Sequence, residues 1–165
     1  LCELIKQQPE YDTWFCFVTQ EEVGLRGARI AADRIKPDLA LVIEGTTCCD
    51  VPGAEEHDYV TAMGEGAAIS FMDRTTIVDK KFCDYLFKLA EKNNINVQHK
   101  KMASGGNDAG VIHLSREGVK CASISVPCRY IHSPASLASL DDIDSALKLC
   151  KAFLSDTEDA FKNIL

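Results

Sequence analysis

The sequence predicts an α/β fold, a mixed and largely parallel sheet flanked by helices, and two patterns carry that expectation. Short apolar runs of strand length (residues 14–18, 38–43, 67–71 and 119–126) alternate with stretches of helical periodicity (25–35, 78–93 and 140–161). The strand runs are also nearly continuously apolar, as in strands covered on both faces, whereas a one-sided sheet would show strict alternation.

The chain of 165 residues is 46% hydrophobic with a net charge of -7. That is enough for one core, and residues 1–165 are expected to form a single domain. Lysines pair only as doublets, 80–81 and 100–101, so no basic stripe points to nucleic acid. No apolar run approaches the roughly 20 residues a membrane span needs, and no signal peptide is visible, so a cytoplasmic protein is expected. Eight cysteines are present without a CxxC pair. Cys16, Cys83 and Cys121 fall inside apolar patterns, where a reduced thiol acts as a small hydrophobe.

In order, residues 1–8 read as the end of an amphipathic helix and 8–12 as a turn. The strand expected at 14–18 runs into Gln20-Glu21-Glu22-Val23-Gly24. Two adjacent carboxylates repel if both ionise, so a rigidly placed pair tends to divide its work, one on a metal and one moving protons. A solvated acidic cap on the helix beginning near Leu25 is the structural alternative. That helix stops at Lys36-Pro37. The strand at 38–43 delivers Glu44 at its end, and 45–58 reads as an exposed loop.

Gly64-Glu65-Gly66 precedes the strand at 67–71 and is too short for a dinucleotide fingerprint. A strand with one exposed face is expected at 95–102. Asn107 or Asp108 would cap a helix over 109–116, which Gly118 ends in the left-handed manner. The strand at 119–126 leads to His132, and one long helix is expected over 140–161. His57, His99 and His113 carry structural expectations. Glu21, Glu22, Glu44 and His132 thus come from three strand ends, and carboxylates with an imidazole suit Zn²⁺, with Co²⁺ or Mn²⁺ as substitutes.

Four stretches carry a resemblance: TQEEVGLRGA (19–28), EGTTCCDVPG (44–53), GGNDAG with IHLSREG (105–118) and SVPCRYIHSP (125–134). Together, in order and spacing, they resemble metallopeptidase family forty-two, the tetrahedral (TET) aminopeptidases, which include glutamyl and deblocking enzymes and some members labelled endoglucanase. The resemblance implies a dinuclear metal site in which Glu21 is the general base, Glu22 a ligand of one ion, Glu44 an acidic ligand of the other and His132 the last histidine ligand. It places Gly106, Asn107, Asp108, Arg129 and Tyr130 near the substrate. Peptide substrates and homo-oligomers from dimer to dodecamer are implied too.

The family's upstream histidine, bridging aspartate and inserted PDZ-like domain have no counterpart here. The chain therefore resembles the C-terminal portion of the catalytic domain, and weak metal binding and weak activity are implied for it alone. Asn107 stands where threonine is common, and Ala135-Ser136 where an acid often follows. The rival readings are a related zinc deacylase, a non-catalytic assembly module and a glycosidase using Glu21 and Glu44.

Overall fold

The computed structural model describes residues 1–6, 9 and 11–165. One five-stranded sheet is built from β1 (Leu39–Thr47), β2 (Ala67–Ser70), β3 (Val97–Lys100), β4 (Lys120–Arg129) and β5 (Leu137–Ala138). Its order is β1-β4-β2-β3, with β5 on β4. Parallel pairing dominates: β1 runs parallel to β4 and β2 to β3, while β4 is antiparallel to β2 and to β5. The expected mixed, largely parallel sheet flanked by helices is what forms.

One face of the sheet carries the main core. Leu39, Leu41, Ala122, Ile124, Ala67 and Ile69 meet α2 (Lys80–Lys92), α4 (Leu140–Ser155) and α5 (Thr157–Ile164). Phe82 and Phe153 stack with ring centroids 5.8 Å apart. α2 forms there because Phe82, Tyr85, Leu86 and Leu89 recur on one side, and the Asp79 side chain caps its first N–H groups. The opposite face is thinner. Ala40, Val42 and Cys121 pack on Ala109 and Ile112 of α3 (Ala109–Ile112), and α1 (Arg26–Ile35) lies beside α3.

Several expectations change. No strand forms at 14–18: those residues are unpaired, and Trp14 and Phe17 are 70% and 79% exposed. An apolar run becomes a strand only beside a neighbour that takes its N–H and C=O groups, and no described strand lies there. Cys16 is accordingly exposed, while Cys83 and Cys121 are buried and all eight thiols are free.

β1 continues through Thr47, so Glu44 lies inside the strand and residues 45–47 are not loop. The helix expected at 109–116 lasts only one turn. The long C-terminal helix breaks at Asp156 into α4 and α5. The expected opening helix and the turn after it fall partly on residues 7, 8 and 10, outside the described ones; residues 2–6 form turns.

Candidate active site

The acid pair sits on a tight turn feeding α1. Gln20 and Leu25 adopt left-handed backbone angles, and the Arg26 and Gly27 N–H groups donate to the carbonyls of Gln20 and Thr19. Gly27 is required there, because a Cβ would come within 2.5 Å of the Thr19 carbonyl oxygen. This fastens Glu21 and Glu22 to the turn that leads into α1.

Across the chain, β4 ends at Arg129 and the segment after it turns sharply, with Tyr130 and His132 both left-handed. That turn brings His132 Nε2 to 3.1 Å from Glu22 Oε1, a contact between residues 110 positions apart. The Ser133 hydroxyl donates to the carbonyls of Tyr130 and Ala135 and holds the turn. Arg129, expected near the substrate, spends Nε and Nη2 on both oxygens of Asp50, each at 2.9 Å. It thereby ties the end of β4 to the loop after β1. Tyr130 is exposed.

Glu44 is held separately. Its Oε1 accepts from Asn107 Nδ2 at 2.8 Å and from the Ser125 hydroxyl at 3.2 Å. Asn107 also donates to the Ser123 hydroxyl, and its own Oδ1 accepts from the Ala109 N–H, so its amide is fixed at both ends. The residue expected as a substrate contact is thus a brace for Glu44 and a cap for α3.

Burial raises the Glu44 pKa. The two hydrogen bonds and the ammonium of Lys100 oppose that rise. Glu21 is also raised, first by burial and then by the charges of Glu22 and Asp108, with His132 acting against them. These mutual influences put Glu21, Glu22, Glu44, Asp108 and His132 in one electrostatic neighbourhood.

The glycine-rich loop before α3 is shaped by a turn the sequence reading passed over. Asp73 Oδ1 accepts from the Thr75 N–H, the Thr75 hydroxyl and the Thr76 N–H, and the Arg74 N–H donates to the Gly105 carbonyl. Thr75 then packs so closely that a Cβ at Gly106 would lie 2.8 Å from its Oγ1, and one at Gly110 only 2.4 Å. Those glycines therefore serve close approach, and Gly106 offers no side chain to a ligand. The only available clue was the Asp-x-Thr-Thr pattern at 73–76, a common side-chain-to-backbone turn.

The donor types suit a divalent cation of borderline hardness, two carboxylates and an imidazole. Glu22 and His132 are near enough to share one ion. Glu44 keeps Oε2 free of protein hydrogen bonds among the described residues. No three His, Cys, Asp or Glu side chains among the described residues close into a ready-made cage. Glu44 lies apart from the Glu22–His132 pair because the β1 strand and Asn107 fix it.

A mixed α/β sheet with an acid pair and an imidazole gathered beside it defines the α/β exopeptidase class of architecture. Comparison with known proteins then gives the family. Residues 1–149 match the model of the M42 glutamyl aminopeptidases, and the chain belongs to that family. It is 34% identical over 148 residues to the lysyl aminopeptidase of Pyrococcus furiosus, covering 89% of this chain and 41% of that one.

Among solved structures, it is similar to the aminopeptidase APDkam598 of Desulfurococcus kamchatkensis (TM-score 0.82, 40% identity, 84% of this chain and 40% of that one). It is also similar to the TET1 peptidase of Pyrococcus horikoshii, described as assembling into a tetrahedron or a large octahedral shell (TM-score 0.70, 30% identity, 84% and 39%). The chain spans 37–44% of the length of the curated relatives it matches.

Proposed function

We propose that this chain supplies the acid pair and one histidine of a metal-dependent aminopeptidase that removes N-terminal residues from peptides. The observation that carries the reading is the meeting of Glu22 and His132 at 3.1 Å with Glu21 beside them. Glu22, Glu44 and His132 would hold two divalent ions, Zn²⁺ or in its place Co²⁺ or Mn²⁺. When bound, such ions supply Lewis-acid polarisation of the scissile carbonyl.

Glu21 is the proton carrier. Its raised pKa keeps the carboxylate a better base than an exposed glutamate, so it can take a proton from the attacking water and pass it to the leaving amine. Asp108, with one buried oxygen lacking a hydrogen bond among the described groups, and Tyr130 line the approach for the peptide. Arg129 contributes by holding the His132 turn in place.

Assembly into homo-oligomers is part of this reading, supported by the named assemblies of the Pyrococcus horikoshii relative. A cytoplasmic setting is supported by eight unpaired thiols; no helix among the described residues is long and apolar enough to cross a membrane. The test is hydrolysis of aminoacyl p-nitroanilides by the enzyme carrying this chain, with metal content measured in parallel. Activity that needs Zn²⁺ or Co²⁺, together with loss of metal in His132→Ala, is expected. Full metal content in His132→Ala would refute the ligand assignment.

A further inference from the structure

Glu44 is held unlike the other acids of the site. It lies inside β1, paired with Ser125 of β4, and both of its hydrogen-bond donors are shut away from water: Asn107 is 1% exposed and Ser125 fully buried. The Asn107 amide has a single workable orientation. The Ala109 N–H can only donate, so the atom that meets it at 2.9 Å is Oδ1. Nδ2 then gives one proton to Glu44 Oε1 at 2.8 Å and the other to the Ser123 hydroxyl at 3.0 Å. A flipped amide would set Oδ1 against a carboxylate oxygen and strand the buried Ala109 N–H.

Each carboxylate oxygen offers two lone pairs. Those of Oε1 are taken, one by Asn107 and one by the Ser125 hydroxyl at 3.2 Å, whereas Oε2 accepts nothing among the described residues. We infer that Asn107, seconded by Ser125, is a positioning residue that makes Glu44 a one-oxygen ligand, and that it thereby sets which cation the site prefers. A carboxylate that binds through both oxygens fills two places of the coordination shell. That suits cations taking about six or more oxygens, as Ca²⁺ and Mn²⁺ do. A carboxylate that binds through one oxygen keeps the shell small, as Zn²⁺ with its roughly four ligands requires. Resting on the metal-dependent reading of the site, this puts a cause of metal choice in two residues that are not themselves ligands.

The test compares Zn²⁺ with Mn²⁺ affinity in the enzyme carrying this chain, by competition against a chromophoric chelator, and reads the coordination shell from the visible absorbance of the Co²⁺ form. Asn107→Leu, close in volume and without a donor, should weaken Zn²⁺ by about 10–100-fold, the usual effect of losing a group that orients a ligand. Mn²⁺ should lose much less, so that the preference for Zn²⁺ shrinks by about tenfold or more. Co²⁺ absorbance per ion should fall as the shell expands. Ser125→Ala leaves the Asn107 amide and its cap on α3 intact, and should move the preference the same way by a smaller amount even if Asn107→Leu does not fold. Ser123→Ala removes a hydroxyl that Asn107 meets but Glu44 does not, and should leave the preference unchanged.

Equal losses for both cations in Asn107→Leu and Ser125→Ala, or a shift in Ser123→Ala as large as in Ser125→Ala, would overturn the inference. If the variants keep the wild-type preference while aminoacyl p-nitroanilides are cleaved, the inference falls and the aminopeptidase reading stands. If the preference shifts as expected but nothing is cleaved, the aminopeptidase reading fails and the role of Asn107 stands. A wild-type enzyme that binds no divalent ion would overturn both.

Discussion

Replacing Arg129 by methionine isolates the half-buried ion pair that braces the His132 turn. Asp50 is nearly inaccessible, with 7% of its side chain exposed, and Arg129 meets it with two parallel hydrogen bonds of 2.9 Å. Removing one partner of a buried pair costs about 3–5 kcal/mol, because the other charge is left stranded. The guanidinium is partly solvated here and the Met63 N–H still donates to Asp50 at 2.8 Å. The cost therefore falls on the stranded Asp50 carboxylate alone, about 1–3 kcal/mol, or a fall in Tm of about 2–12 °C for a chain of this size.

The pH dependence gives the sharper check. Burial raises the Asp50 pKa, but the Arg129 and Met63 contacts outweigh it and leave the group below its ordinary value. In the wild type that pair stabilises fully above the unfolded pKa of about 3.9 and is lost as pH falls through the lower folded value. In Arg129→Met burial dominates, so protonation of Asp50 relieves the variant. The stability gap between the two should be widest near pH 7 and narrow below about pH 4. Urea unfolding across that range measures it, and Asp50→Asn combined with Arg129→Met should recover most of the loss. A gap that stays constant with pH would refute the role assigned to Asp50.

Glu21→Gln should retain bound metal while kcat falls by about 10³-fold or more, since the proton carrier is lost and the ligands remain; paired metal analysis and initial rates check this. Gly106→Ala should weaken Co²⁺ binding, because its new methyl meets Thr75. Adding Thr75→Ala, which removes both atoms at 2.8 Å, should restore it, as read by Co²⁺ absorbance. Asp142, fully buried, accepts from the Gly64 and Gly66 N–H groups at 2.7 and 2.8 Å. Asp142→Ala should destabilise by about 1–3 kcal/mol in urea unfolding, with the buried Gly66 N–H stranded while the exposed Gly64 N–H turns to water. Burial pushes the thiols of Cys48, Cys121 and Cys150 up to about 12. In the native protein at pH 8 a thiol reagent should modify exposed Cys2 and Cys16 and leave those three unmodified.

Local pattern was enough wherever one element carries its own instructions. The helical periodicity of 82–90 and the buried run ending before His132 appear in the fold where the sequence placed them, whereas Gly118 takes its positive φ well beyond α3, which ends at Ile112 instead of running to residue 116. Residues 14–18 show the limit. Their apolar run has strand character, but a strand exists only with a hydrogen-bonded neighbour, and pairing is a property of the whole sheet. The same holds for Glu44, which reads as a strand-end acid until β4 extends β1 past it through Thr47.

The sequence by itself determined which residues can do chemistry, since acids, an imidazole and tight glycine turns are written residue by residue. Only the tertiary structure decided their partners. His132 meets Glu22, Asn107 holds Glu44 and Arg129 is committed to Asp50. Contacts of that kind depend on strand register and loop closure between residues as many as 110 positions apart, and no local periodicity encodes them.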